Sequence, residues 1–250
     1  MGKTTLSINL AHAFARAGVK TLLVDADPQG SVGHSLTRQS HLLTGFYDFL
    51  ADPSLPLNRL LVATRLACFS LVASGRASDD DAGGGAGTHL ERVRAFLRVA
   101  SAHGFQLCLI DTAAGLFGIT GDVVAACDAI LMPQQAEPLG IRSVPKLLEE
   151  LKRLRISNPR LNVLGVCLSM VQPDLAESRG AAAALRQLLP PEWVFQTQVP
   201  RDPLFVRASA RGLPIGLLAE GAAVQAVFDA LRNEIAAKLE HHAALPAILG

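Results

Sequence analysis

The chain has 250 residues, half of them hydrophobic, and a formal net charge of +1. That length suits one large α/β domain or two small ones with a sizeable core, and so small a charge sets up no global field that would select a polyanionic partner. A single Trp and a single Tyr argue against an aromatic surface for stacking bases, no apolar run reaches the length of a membrane span, and no signal-peptide pattern follows Lys3.

The first segment, MGKTTLSINL, contains Gly2-Lys3-Thr4-Thr5. This is the back half of a phosphate-binding loop, G-x-x-x-x-G-K-[ST], which normally follows a buried strand. The strand and the leading glycines are not in the sequence. A helix is predicted over Thr4–Ala17, closed by Gly18. Lys3 stands where such a loop's lysine reaches the β- and γ-phosphates, Thr4 where a hydroxyl meets Mg²⁺, and the helix N-terminus would aim its amides at the phosphates. Taken alone, GKTT reads as well as a simple helix start.

The next segment, TLLVDADPQGS, is a buried strand (Thr21–Asp25) ending in one carboxylate, with Asp27 two residues on. Carboxylates at a strand's C-terminal end face the crevice where α/β proteins bind ligands. An Asx turn at Asp27-Pro28 accounts for one Asp but not for the pair. Further along, FQLCLIDTAAG carries a predicted strand (Phe105–Asp111) whose terminal Asp111 has the Walker B pattern of an Mg²⁺-holding carboxylate.

The remaining predicted strands are Ala67–Val72, Ala129–Pro133, Val163–Met170 and Val194–Val199, and the remaining helices His89–Ala102, Ile141–Arg155, Ala176–Leu189 and Ala222–Leu239. Strands alternating with helices predict an α/β fold: a mostly parallel sheet covered by helices on both faces, in a single domain over residues 1–250. Ser78–Gly87 (SDDDAGGGAG) is a loop by composition. Cys68, Cys108, Cys127 and Cys167 are widely spaced, without a C-x-x-C pair, and read as buried reduced thiols of a cytosolic protein.

In order and spacing, these segments resemble the ParA/MinD family of deviant-Walker ATPases, and within it the ParA branch of chromosome and plasmid partition. GKTTLSINLAHAFARAG resembles the family's P-loop helix, including Asn9, and LLVDADPQGS its switch I segment. CDAILMPQQAEPLGIRSVPKLLEEL, NPRLNVLGVCLSM and FQTQVPRDPLFVRASARGLPIG resemble later family segments. The resemblance implies a P-loop NTPase fold whose first strand is missing from the chain, ATP and Mg²⁺ as cofactors, an ATP-dependent homodimer and slow hydrolysis. It implies that Gly2, Lys3, Thr4 and Thr5 bind phosphates, with Thr5 against the α-phosphate. Thr4 and Asp111 would place Mg²⁺, with Asp25 supporting the metal shell. Asp27 would position the attacking water, and Pro200 and Arg201 would border the adenine. Three departures stand out: the family's cross-dimer lysine would lie ahead of Met1, DTAAG replaces the usual Cys-Pro-Pro after the Walker B Asp, and the Tyr common after the last loop is lacking.

Between Lys152 and Arg211 nine basic residues face four acidic ones, so this segment carries +5 and the rest of the chain −4. That asymmetry fits phosphate contacts along DNA, although a solvated helix face explains any single residue as well. Arg207 and Arg211 are the candidates for nonspecific DNA binding, because the resemblance associates their region with DNA. It also implies a ParB-like or cargo-adaptor partner and a cytoplasmic, nucleoid-associated location. The tail EHHAALPAILG has no Lys or Arg and contains Pro246, unlike a basic amphipathic membrane helix. Two alternatives stay open, a non-hydrolysing binding protein with a degenerate P-loop and a cellulose-synthesis-operon relative. Met1 occupies the variable position of the family's K-G-G-x-G-K-T, often Val. The expectation is that its codon is an internal GTG and that an apolar strand and Lys-Gly-Gly are encoded ahead of it.

Overall fold

In the computed structural model, residues 2–36, 43–77 and 87–244 are described. The predicted loop Ser78–Gly87, apart from Gly87, and the end of the tail with Pro246 lie outside them. The elements in chain order are α1 (Lys3–Arg16), β1 (Thr21–Ala26), α2 (Ser31–Leu36), α3 (Phe46–Ala51), β2 (Leu61–Ala63), β3 (Phe69–Val72), α4 (Leu90–Ala102), β4 (Leu107–Thr112), α5 (Gly118–Ala126), β5 (Ala129–Gln135), α6 (Pro138–Arg142), α7 (Val144–Ser157), β6 (Asn162–Ser169), α8 (Ala176–Leu188), α9 (Leu204–Ala210) and α10 (Ala222–Ala244). This is the α/β architecture expected from the alternation of strands and helices.

The strands fall into two pieces, one in the order β2-β3-β1-β4 and one of β5 with β6. β1 pairs in parallel with β3 on one edge and β4 on the other, and all six of its residues are buried. Its unbroken apolar run is the pattern of a strand covered on both faces. Among the described residues only the short β2 runs antiparallel; it lies at the sheet's edge and is too short to leave a pattern in the sequence. β5 and β6 are parallel, with a bulge between Ile130 and Leu131 opposite Val163 and Gly165. Gly165, at φ 124°, lets the Trp193 carbonyl approach where a side chain would stand.

Helix α1 is buried along most of its length, because it packs on the sheet with one side and on α10 with the other. Its Leu6, Leu10 and Phe14 share a core with Leu164, Phe195 and Phe228. On the opposite face α4 and α5 cover the larger sheet piece through Phe96, Ile119 and Val123, and α7 covers the smaller through Leu151. One predicted element is corrected. Val194–Val199 is not a strand: the segment touches β6 only through isolated bridges, Val166 to Val194 and Val171 to Pro200. Its apolar residues point into the core without sustaining a ladder.

Candidate functional site

Helix α1 begins at Gly2, in a left-handed conformation (φ 91°), with no side-chain cap and no acidic residue in the first turn. Its leading amides are therefore left for an anion, and the macrodipole favours negative charge there. Ser, Thr, Asp and Asn are the preferred residues at this end, and α4 to α9 likewise lack a side-chain cap hydrogen bond. What suits the start of α1 to phosphate is the left-handed Gly2 followed by Lys3, with no carboxylate in the first turn to repel an anion.

The same helix reaches the end of β4. Thr4 Oγ1 donates to Asp111 Oδ2 at 2.7 Å, and Ser7 Oγ donates to Asp111 Oδ1 at 2.8 Å. Asp111 is buried, and burial pushes its pKa above the ordinary carboxylate value. The two hydroxyls and the nearby Lys3 charge pull it back, while Asp27 adds to the rise. A hydroxyl and a carboxylate side by side are hard oxygen donors of the kind Mg²⁺ takes beside phosphate oxygens and water. Among the described residues no group of three or more His, Cys, Asp or Glu is arranged as a closed metal cage.

Asp25 lies directly opposite Asp111 in the register of β1 and β4 and is fully buried. Its Oδ2 accepts the amides of Val32 (2.9 Å) and Gly33 (3.0 Å), and its Oδ1 that of Asp27 (3.3 Å). It therefore holds the start of α2 and the turn that carries Asp27. Burial raises its pKa to about 6; the Gly33 amide opposes the rise, and the Asp111 charge adds to it. Asp27 forms the Asx turn foreseen as the simpler reading: Oδ1 accepts the Gln29 amide at 2.9 Å, and Ser31 Oγ stands 3.5 Å from Oδ2. Both acids of the D-x-D pair thus have local backbone partners, and Asp27 remains only partly buried.

The later segments also close on this edge. Asn9 donates to the Thr5 carbonyl (2.8 Å) and accepts the Ile215 amide (2.7 Å), tying the P-loop helix to the loop before α10. Pro200 bridges to Val171, and the Arg201 amide donates to the Val171 carbonyl at 3.0 Å, beside the C-terminal end of β6. The residues named from the sequence for phosphate and metal, Gly2 to Thr5, Asp25, Asp27 and Asp111, thus share one region. Arg207 lies on α9 in an ion pair with Glu220, and Arg211 follows as an exposed cap. All four cysteines are free. Burial pushes the thiols of Cys127 and Cys167 up to about 12 and that of Cys108 higher, so these three stay neutral.

Two contributors carry no signal in the linear sequence. Ser7 meets an acid 104 residues away. Tyr47 donates its hydroxyl to the Ala26 carbonyl at 2.9 Å, fixing the chain between the two acids.

The sequence profile of the CobQ/CobB/MinD/ParA nucleotide binding domain matches residues 1–215. The chromosome-partitioning ATPase Soj of Thermus thermophilus is 31% identical over 242 residues, covering 96% of this chain and 92% of Soj. The chromosome partitioning protein ParA of Caulobacter vibrioides is 31% identical over 224 residues, covering 86% and 82%. Among solved structures, the ATP complex of Cyanothece McdA superimposes with a TM-score of 0.78 at 21% identity, over 94% of this chain and 92% of that one. Aquifex aeolicus MinD gives 0.72 at 22% identity, over 98% and 94%. These two likenesses establish the fold.

Proposed function

The chain belongs to the CobQ/CobB/MinD/ParA family of nucleotide-binding domains, and from that premise we propose that it is an ATP-dependent dimerising ATPase switch acting in DNA partition or cargo positioning. The observation that carries this reading is the Thr4–Asp111–Ser7 cluster at the uncapped start of α1. It unites a phosphate cradle, a cation-ready hydroxyl and a Walker B acid within hydrogen-bond reach. Gly2, Lys3, Thr4 and Thr5 hold the phosphates, and Thr4 with Asp111 would hold Mg²⁺. Bound there, Mg²⁺ supplies neutralisation of the charge that develops on phosphate oxygens. Asp27 orients the attacking water. Asp25 keeps the Asp27 turn in place and supports the metal site only from behind, since amides occupy its oxygens. Pro200 and Arg201 border the base.

The homodimer is supported by apolar side chains at the rim of the same edge. Phe117 is 65% exposed in the loop after β4, and Leu139 is 76% exposed just after β5. Apolar groups held in water beside a ligand site favour a closing partner. The partition role is supported by the Soj and ParA relatives and by the +5 segment. It brings with it nonspecific DNA contact through Arg207 and Arg211, a ParB-like or adaptor partner and a nucleoid-associated location. Among the described residues no helix is long and apolar enough to cross a membrane.

The test uses three variants of the protein. Lys3→Ala is expected to weaken ATP binding by about a hundred-fold, the scale of a lost charge-assisted contact. Asp27→Ala is expected to bind ATP normally and hydrolyse it about a hundred-fold more slowly. Hydrolysis by Asp27→Ala at the parental rate would refute the role of Asp27. Arg211→Glu is expected to weaken ATP-dependent binding to every duplex sequence alike, with a shallower salt dependence.

A further inference from the structure

The peptide unit that joins Ala26 to Asp27 is bonded at both of its poles. Its N–H, on Asp27, donates to Asp25 Oδ1 at 3.3 Å. Its carbonyl, on Ala26, accepts the Tyr47 hydroxyl at 2.9 Å. Among the described residues every peptide is trans, so the N–H and the C=O point to opposite sides of one flat unit. The soft motion left to such a unit is rotation about its long axis, through ψ of Ala26 and φ of Asp27. A bond at one pole opposes that rotation loosely, whereas bonds on both sides of the axis brace it. The rotation matters because φ of Asp27 sets where its side chain points from the end of β1. Asp27 is only partly buried, and its carboxylate is engaged by the loop that follows, through the Gln29 amide at 2.9 Å and Ser31 Oγ at 3.5 Å. On the β1 side, the braced peptide is what that loop hangs from.

Tyr47 is itself firmly placed. The amides of Phe46 and Tyr47 donate to the carbonyls of Ala73 and Ser74, each at 2.8 Å, so the start of α3 is bonded to the chain just past β3. Asp48 Oδ2 accepts the Gly45 amide at 2.8 Å and the Arg76 amide at 3.3 Å, which clasps the same two segments together. The clasp is tight enough that a Cβ on Gly45 would collide with the Ala73 carbonyl and one on Gly75 with the Asp48 carboxylate. The Tyr47 ring is buried and meets Phe46 edge-on at 5.8 Å. Phe46 and Phe49 in turn meet Phe96 of α4 edge-on, at 5.2 and 5.3 Å. A phenylalanine would fit this aromatic cluster too. What the hydroxyl adds is the bond to Ala26, and a buried hydroxyl is tolerated where it has such a partner.

We propose that Tyr47 is a positioning residue for ATP hydrolysis: by holding the Ala26 carbonyl it fixes the Ala26–Asp27 peptide, and through that peptide the direction in which Asp27 presents its carboxylate to the attacking water. The proposal rests on the role given to Asp27 above. Tyr47 acts from behind the backbone and touches neither nucleotide nor water. Its loss therefore leaves the phosphate-binding residues of α1 untouched and acts on the chemical step alone. The effect is large for one buried hydroxyl because a small displacement of a group that orients a reactant costs rate steeply. Its partner at the other pole, Asp25, cannot replace it, since a bond to the N–H does not hold the carbonyl side against rotation.

The experiment measures ATP affinity, single-turnover hydrolysis and Tm for the parent, Tyr47→Phe, Asp27→Ala, the double variant and Phe49→Leu. Tyr47→Phe keeps the ring, so its Tm is expected to fall by only a few degrees, about the scale of one lost hydrogen bond. Its hydrolysis is expected to slow about ten-fold, with ATP affinity within about two-fold of the parent's. In the Asp27→Ala background the same change is expected to alter the rate by less than about two-fold, because a residue that acts through Asp27 has nothing left to position. Phe49→Leu loosens the same aromatic cluster without touching Ala26 and is expected to lower Tm at least as much while hydrolysing at the parental rate. The proposal is overturned if Tyr47→Phe slows hydrolysis equally with and without Asp27, if Phe49→Leu slows it as much, or if the loss lies in ATP affinity. A parental rate for Tyr47→Phe beside slow Asp27→Ala overturns it alone, whereas a parental rate for Asp27→Ala overturns it together with the role of Asp27.

Discussion

Asp25 and Asp111 sit at equivalent places on neighbouring strands, opposite one another in register, yet they are held by different means. Asp25 is held by three backbone amides of the segment that follows it. Asp111 is held by two side-chain hydroxyls of α1. Amides within a turn and a helix start cannot leave without unfolding that local structure. A hydroxyl can rotate, so Thr4 can exchange a carboxylate for a cation while the backbone stays in place. We propose accordingly that the first acid serves the architecture of the site and the second its working chemistry, although both are buried aspartates at strand ends.

The largest effect that bears on this contrast is catalytic. Asp111→Ala is expected to reduce Mg²⁺-dependent ATP hydrolysis by about a hundred-fold or more. Thermal stability without nucleotide should stay close to the parent's, because the change removes a carboxylate that burial disfavours. Steady-state hydrolysis and a melting curve check both halves. A large loss of stability would erase the distinction between the two acids.

Next comes the converse. Asp25→Ala leaves three amides near the start of α2 without their acceptor, at a cost of about 2–4 kcal/mol by chemical denaturation. Asp25→Asn retains an acceptor oxygen and should recover about half of that loss. Equal losses in the two variants would show that the hydrogen bonds to the carboxylate are not what holds the turn.

A smaller effect follows from protonation. The native pKa of Asp25 is raised to about 6 from 3.8, so between these values the folded chain binds more protons at this group than the unfolded chain. Stability contributed here is accordingly lost as pH rises from about 4 to about 6. The nucleotide-free protein should lose about 2–3 kcal/mol more across that window than Asp25→Asn does, the scale of a shift from 3.8 to about 6. A parallel pH dependence of the two proteins would contradict the assignment.

The smallest effect sharpens the comparison within α1. Ser7→Ala removes one of the two hydroxyls on Asp111 and should cost about 1 kcal/mol or less, with hydrolysis slowed only a few-fold. Thr4→Val, which removes the hydroxyl proposed to meet the metal, should slow hydrolysis far more at similar stability. Equal kinetic losses from the two would assign them the same role.

Much of the site was legible in the sequence because its pieces are local. A helix start with GKTT and strands that end in Asp25 and Asp111 each announce themselves within about ten residues. The turn at Asp27 was legible for the same reason, since an Asx turn is closed by its own neighbours. The alternation of apolar runs with helical stretches determined the α/β class and most of the strands. What the sequence could not specify were partnerships between distant residues and elements whose local preference is weak. Helix α5, GITGDVVAA, has two glycines and no capping side chain, yet it is helical because it is buried between the sheet and α7, where tertiary packing outweighs propensity. Val194–Val199 shows the reverse: apolar enough for a strand, but placed where only isolated bridges to β6 form. The division of labour between Asp25 and Asp111 likewise depended on which donors the fold brought near. Residues close in the chain meet at little entropic cost and leave a pattern in the sequence. Ser7 and Asp111, 104 positions apart, meet only because the sheet and α1 are already assembled, and no local pattern encodes that.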